Sequence, residues 1–213
     1  MELAKKFKKE PVNPAAMANS SYGTVFIVDI SGYSSFVRAT EHQSGAKIIS
    51  DLLNEIIGAN SLQLRISEIE GDAILFFQYG TALPVDLILR QFELMLKAFN
   101  TKTERLKPNF PQVEHLSIKL VVHYGEISGF SLRGFDKLYG QTLVEAHRLL
   151  KNEVHLNTYA LITEDYIKAQ PSVRPQREGS KQCEIYDSGT ICYTYFPYPE
   201  KIAPNISRGL AYC

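Results

Sequence analysis

Apolar positions change period several times along this chain, and each change marks an element. Val25-Phe26-Ile27-Val28 is a run of four apolar residues, mostly β-branched, as expected of a short buried strand. Ser31-Gly32-Tyr33-Ser34 interrupts it with a small turn, and a short helix is predicted around Ser34 to Thr40. Ile48, Ile49, Leu52, Leu53, Ile56 and Ile57 then recur at helical spacing, predicting a longer helix closed by Gly58. Two alternating segments, about Leu62 to Ile69 and Ala73 to Tyr79, flank Gly71-Asp72 and predict a β-hairpin with an acid at its tip. Val85, Ile88, Leu89, Phe92, Leu96 and Phe99 mark a second amphipathic helix, with Pro84 acceptable in its first turn. Lys102 to Gln112 reads as a charged, proline-interrupted connection. His115 to His123 is the next strand, Glu126 to Leu132 is predicted to hairpin back from it, and Thr163-Glu164-Asp165 has the form of a capped helix start. The order β, α, α, β, β, α, β predicts an α+β, ferredoxin-like sandwich: an antiparallel sheet with helices on one face.

The ends carry no such pattern. Residues 1–20 are polar and broken by Pro11 and Pro14, and residues 197–213 hold Pro199 and Pro204, so both read as tails around a domain of residues 21–196. At 213 residues the chain is long enough for one domain with a proper core. Its formal net charge of zero argues against a partner such as nucleic acid or a membrane surface, both of which favour a basic surplus. No apolar run approaches the length needed to span a bilayer, and the basic stretch at Met1 to Pro11 has no apolar segment behind it, as a secretory signal would. Cys183, Cys192 and Cys213 are few, odd in number and without metal-ligand spacing, which points to a reducing, cytoplasmic setting.

Two acids carry the candidate chemistry. Asp29 ends the first apolar strand, where an unpaired charge is costly unless a cation, a metal or N–H donors meet it. The turn that follows, Ser31-Gly32-Tyr33-Ser34, can converge several backbone N–H groups at a helix amino end beside that acid. Asp72 sits at the hairpin tip, and two strand-borne carboxylates from separate segments make a divalent-cation site suited to triphosphates. Gly-Asp is also an ordinary turn, so the pairing with Asp29 is what gives it meaning. His123, ending an apolar strand, reads as a hydrogen-bonded structural histidine.

Phe26-x-x-Asp29-Ile30-x-Gly32-Tyr33-Ser34, followed by Glu68-x-x-Gly71-Asp72, resembles the catalytic half of class III nucleotidyl cyclases, the adenylate and guanylate cyclase family, from about Tyr22 to about Leu150. The resemblance implies that Asp29, Ile30 and Asp72 hold two ions, Mg²⁺ or Mn²⁺, and that Ser31, Gly32, Tyr33 and Ser34 bind phosphate through their backbone. It implies Glu68 and Lys137 as base-binding residues, and Arg148 as the catalytic residue that stabilises charge on the α-phosphate. The implied reaction turns a nucleoside triphosphate into a 3′,5′-cyclic nucleotide and pyrophosphate at a homodimer interface, with Arg148 crossing from one chain to the aspartates of the other.

This sequence departs from the family pattern at several positions. Val144 stands where the family has an asparagine one helical turn before the arginine, and a valine cannot hydrogen-bond a ribose oxygen. Lys137 faces Glu68 where the family has an aspartate or small polar residue, so the two can pair with each other or read a base outside adenine and guanine. The late hairpin, Tyr186 to Phe196, lacks the family's triphosphate-binding lysine, with Lys181 the nearest basic residue. A second function follows as an alternative: a cyclase-like nucleotide-binding or dimerisation module with little or no turnover.

Overall fold

The structure is a computed structural model that describes residues 21–171 and 176–199. The expected tail at residues 1–20 and the segment from residue 200 lie outside the described residues. Between them, β1 (Ser21–Ser31) leads through α1 (Tyr33–Ala39) and α2 (His42–Gly58) to the hairpin β2 (Arg65–Glu70) and β3 (Ala73–Tyr79). Then come α3 (Val85–Leu106), β4 (Ser117–Leu132), β5 (Phe135–Tyr139), α4 (Gln141–Leu149), β6 (Tyr159–Thr163), α5 (Glu164–Ala169) and the hairpin β7 (Ser180–Tyr186) and β8 (Gly189–Pro197). The α+β class and the β, α, α, β, β, α, β core order are those expected.

The strands line up as β2-β3-β1-β4-β6-β8-β7, with β5 paired to β4 off this path. All pairings are antiparallel except β4 with β6, which run parallel. Alternation along β1 sends Phe26, Val28 and Ile30 to one face of the sheet and Val25 and Ile27 to the other. On the first face, Ile48, Leu52 and Ile56 of α2 and Phe92, Leu96 and Phe99 of α3 close the main core. The second face is covered by α4, whose Leu143 and Ala146 pack against Val25, Ile27 and Phe77. This one helix departs from the one-face layout, and it is the helix that carries Arg148.

Several boundaries differ from the sequence pattern, each for a local reason. α3 runs through the expected connection to Leu106, because buried Thr103 continues the Phe99 stripe and Lys102 pairs with Asp51 of α2 at 3.0 Å. β4 does not turn at Gly125. It continues to Leu132 and hairpins into β5 through Arg133 and Gly134, both at positive φ. Gly125 serves packing instead: a Cβ there would lie 2.5 Å from Thr142 Oγ1, so its absence lets α4 settle on the sheet. Gly58 is the last residue of α2 and Ala59 caps it. Pro197 still belongs to β8, and Tyr198 packs edge-on against Phe92, so the folded unit extends past residue 196.

Candidate functional site

Asp29 and Asp72 come together because β1 and β3 are neighbours. Asp29 lies opposite Ala73 in the ladder, and the Ile30 N–H donates to the Asp72 carbonyl at 3.3 Å. Alternation places Asp29 on the second face, the one that carries α4. The Asp72 carboxyl is pushed up to about 6, first by burial and then by the negative charge of Asp29. Asp72 has no ion-pair partner among the described residues, whereas Asp29 has one: Lys119 of β4, its cross-strand neighbour, whose Nζ lies 3.2 Å from Asp29 Oδ2. Ile30 turns its side chain into the first-face core, so it can offer a cation only its carbonyl.

The turn after Asp29 is built as its residues suggest. Gly32 is the N-cap of α1 at φ 86°, and a Cβ there would sit 2.6 Å from the His115 carbonyl, so both conformation and space require glycine. Its carbonyl accepts from Phe36 N–H at 3.0 Å. The N–H groups of the first turn of α1 have no partner within the helix. The Ser31 hydroxyl is committed elsewhere, donating to the Asn157 carbonyl at 2.7 Å.

Glu68 and Lys137 also meet, and they meet each other in a direct ion pair. A β-bulge makes this possible. The β2–β3 register slips between Ile66 and Glu68, so Arg65 opposite Phe77 and Glu68 opposite Leu75 both face the second side despite their odd spacing. Arg65 then stacks over the Phe77 ring at 4.9 Å. A groove of about 280 Å³ lies between the β2–β3 and β4–β5 hairpins, lined by Arg65, Ser67, Phe77, Phe130 and Lys137 among others.

Arg148, in the last turn of α4, is held within its own chain. Both terminal nitrogens meet the Asp187 carboxylate in the turn between β7 and β8, with Nη2 donating at 2.6 Å. Val144, one turn earlier, is exposed. Lys181 pairs with Glu164 at 3.2 Å. His123 is the structural residue its position suggested: it is buried, with Nδ1 2.9 Å from Thr163 Oγ1 and Nε2 2.9 Å from Glu145 Oε2.

The sequence reading missed Lys119, Asp187 and a disulfide. Lys119 could have been found, since a lone charge inside Ile118-Lys119-Leu120-Val121 asks for a partner on one face. Cys183 and Cys192 are disulfide-bonded directly across β7 and β8, a correction to the free thiols that their number and spacing suggested. The same hairpin holds Glu184, whose carboxylate accepts from Tyr186, Tyr193 and the Glu153 N–H. Burial alone would raise its pKa, and these bonds hold it below the usual range.

A family model described as a protein of unknown function, DUF2652, matches residues 49–159, just over half of the chain. The chain belongs to that family. An uncharacterized protein of Mycobacterium tuberculosis (strain ATCC 25618 / H37Rv), Rv2561/Rv2562, is 31% identical to the DUF2652 chain over 123 residues, covering 54% of the chain and 57% of the relative. The chain thus spans less than two thirds of that relative's length. Among solved structures, the guanylyl cyclase Cya2 superposes with a TM-score of 0.67 at 12% identity, over 84% of this chain and 93% of its own. The adenylyl cyclase CyaB from P. aeruginosa gives a TM-score of 0.64 at 15% identity, over 87% and 99%. At such identities the likeness establishes that this DUF2652 chain has a divergent cyclase-like fold.

Proposed function

We propose that the protein is a nucleotidyl cyclase acting as a homodimer, converting a nucleoside triphosphate to a 3′,5′-cyclic nucleotide and pyrophosphate. One observation carries this reading: in a cyclase-like fold, two carboxylates distant in sequence lie side by side next to a glycine turn that opens a helix. The donor set suits Mg²⁺ or Mn²⁺. Asp72 is half-buried, lacks an ion-pair partner among the described residues, and holds its proton more tightly than an ordinary carboxyl because of burial and the neighbouring Asp29 charge.

Asp29 and Asp72 would hold two divalent cations, with the Ile30 carbonyl beside them. Bound there, the two would supply charge that lowers the pKa of the attacking ribose 3′-hydroxyl and offsets the charge of the pyrophosphate leaving group. The N–H groups of Gly32, Tyr33 and Ser34 would hold the β and γ phosphates in place, using donors that α1 leaves unpaired. Arg148 from the partner subunit would stabilise negative charge on the α-phosphate, once released from Asp187. Glu68 and Lys137 would read the base after exchanging their mutual bond for bonds to it.

A second reading, a nucleotide-binding or dimerisation module with little turnover, is favoured by the same ion pairs. Arg148 on Asp187, Lys137 on Glu68 and Lys119 on Asp29 occupy within one chain the groups that catalysis needs free, and Val144 offers the ribose no hydrogen bond. Cyclic nucleotide and pyrophosphate release, measured with ATP, GTP, CTP and UTP in turn plus Mn²⁺, separates the two. Product from one of them supports the cyclase. Calorimetric binding of a nonhydrolysable triphosphate with no product from any leaves the module.

A further inference from the structure

The carboxylate site has a resident cation of its own. Lys119 stands directly across the β1–β4 ladder from Asp29, and its ammonium is anchored at two points: 3.2 Å from Asp29 Oδ2 and donating at 2.9 Å to the Leu150 carbonyl. Leu150 is the C-cap of α4, where the helix dipole presents its negative end. The two side chains are 19% and 18% exposed, so the pair is largely withdrawn from water and the ammonium is held rather than merely nearby. Asp72 has no ion-pair partner among the described residues. The local charge is therefore two carboxylates against one ammonium, with one oxygen of Asp29 already engaged.

We propose that Lys119 supplies the charge of one of the two ions that the cyclase resemblance implies, so that the site takes a single divalent ion, on the Asp72 side. This deepens the cyclase reading and rests on it for its catalytic meaning, but the ion count is a property of the apoprotein. A second divalent ion would share Asp29 with the ammonium at close range. At an effective dielectric of ~20, repulsion between a double and a single charge roughly 5 Å apart weakens binding by about 10⁵-fold. Lys119 also ties the site to α4, because the ammonium that neutralises Asp29 caps the helix that carries Arg148.

The test titrates the full chain with Mn²⁺ alone, without nucleotide, counting bound ions by the loss of the free-ion paramagnetic resonance signal. Asp72→Asn provides the background of unspecific binding. The wild type is expected to take one ion per chain above that background. Lys119→Met, of similar length without the charge, is expected to bind that ion at least ~10-fold more tightly, while Lys119→Arg keeps the wild-type affinity. Two ions or none in the wild type overturns the proposal, as does a Lys119→Met protein that binds its ion no more tightly than the wild type or a Lys119→Arg protein that behaves like Lys119→Met. Should Lys119→Met fail to fold, the wild-type count and the Lys119→Arg comparison still decide. A count of one with no cyclic nucleotide from any triphosphate leaves this inference standing and ends the catalytic reading.

Discussion

At the scale of single residues, Asp72 gives a pH-dependent test of the site. Its carboxyl is raised from 3.8 to about 6 in the folded chain, so folding favours its protonated form. The penalty is absent below the unfolded pKa, grows as pH rises between the two values, and is complete above about 6. The full rise corresponds to about 3 kcal/mol, and solvent screening of a half-exposed group reduces it to roughly 1–2 kcal/mol. Asp72→Asn is therefore expected to stabilise the metal-free protein by that amount at pH 8 and by nothing near pH 3.5, measured by denaturant unfolding at each pH. An equal effect at both would mean the acid is not isolated in this way. Gly32 tests the neighbouring turn: alanine there must hold φ 86° with its Cβ against the His115 carbonyl, and a loss of about 2–3 kcal/mol is expected in the same measurement.

At the scale of elements, the hairpin of β7 and β8 is the part that most changes the functional picture. Its turn residue Asp187 neutralises Arg148, and the side chain is 75% exposed, so the pair contributes little to stability. Asp187→Asn is expected to change unfolding by less than about 1 kcal/mol, yet to tighten binding of a nonhydrolysable triphosphate about tenfold, because Arg148 no longer has to leave a carboxylate to meet a phosphate. Unchanged affinity, read by calorimetry, would remove Arg148 from the nucleotide site. The same hairpin is stapled by Cys183 and Cys192, and closing so short a loop contributes about 2–3 kcal/mol in the chain-entropy account. Thiol titration of the unfolded protein, with and without reductant, and the matching drop in stability check it. What sequence could and could not show divides along this line. Val25 to Asp29, Gly32 and the Gly71-Asp72 tip were legible because local rules fix them: an apolar run, a positive-φ turn and a tight hairpin. The Glu68–Lys137 pair was legible only as an option, since the bulge that aims Glu68 leaves no signal in the residue pattern. Lys119 was legible as a lone charge in an apolar strand but its partner was not, and Asp187 was not legible at all, because only the sheet order brings these pairs into contact.

At the scale of the whole molecule, the proposed chemistry needs a second copy, and one exposed apolar cluster is a candidate place for it. The β4–β5 hairpin extends beyond the part of β4 that pairs with β1 and carries Phe130, Leu132, Phe135 and Tyr139, with Phe135 72% and Tyr139 70% exposed. Isolated apolar side chains are ordinary on a surface, whereas a cluster along one hairpin is a candidate docking patch for the proposed dimer. The hairpin borders the groove lined by Lys137 and Phe130, so a partner docked here would lie next to that groove. Phe135→Glu places a charge in the middle of that cluster without touching the core, since Phe135 packs in none of the buried clusters. Its unfolding is therefore expected to stay within about 0.5 kcal/mol of the wild type. Sedimentation velocity is expected to show the wild type as a dimer and Phe135→Glu as a monomer, with any cyclic nucleotide production lost in the monomer. Mixing an Asp29→Asn chain with an Arg148→Ala chain then separates a shared site from a self-contained one. If each dimer draws its aspartates from one chain and its arginine from the other, the mixture regains about a quarter of wild-type turnover, through heterodimers with one intact site of two. If every chain completes its own site, the mixture stays as inactive as its parts.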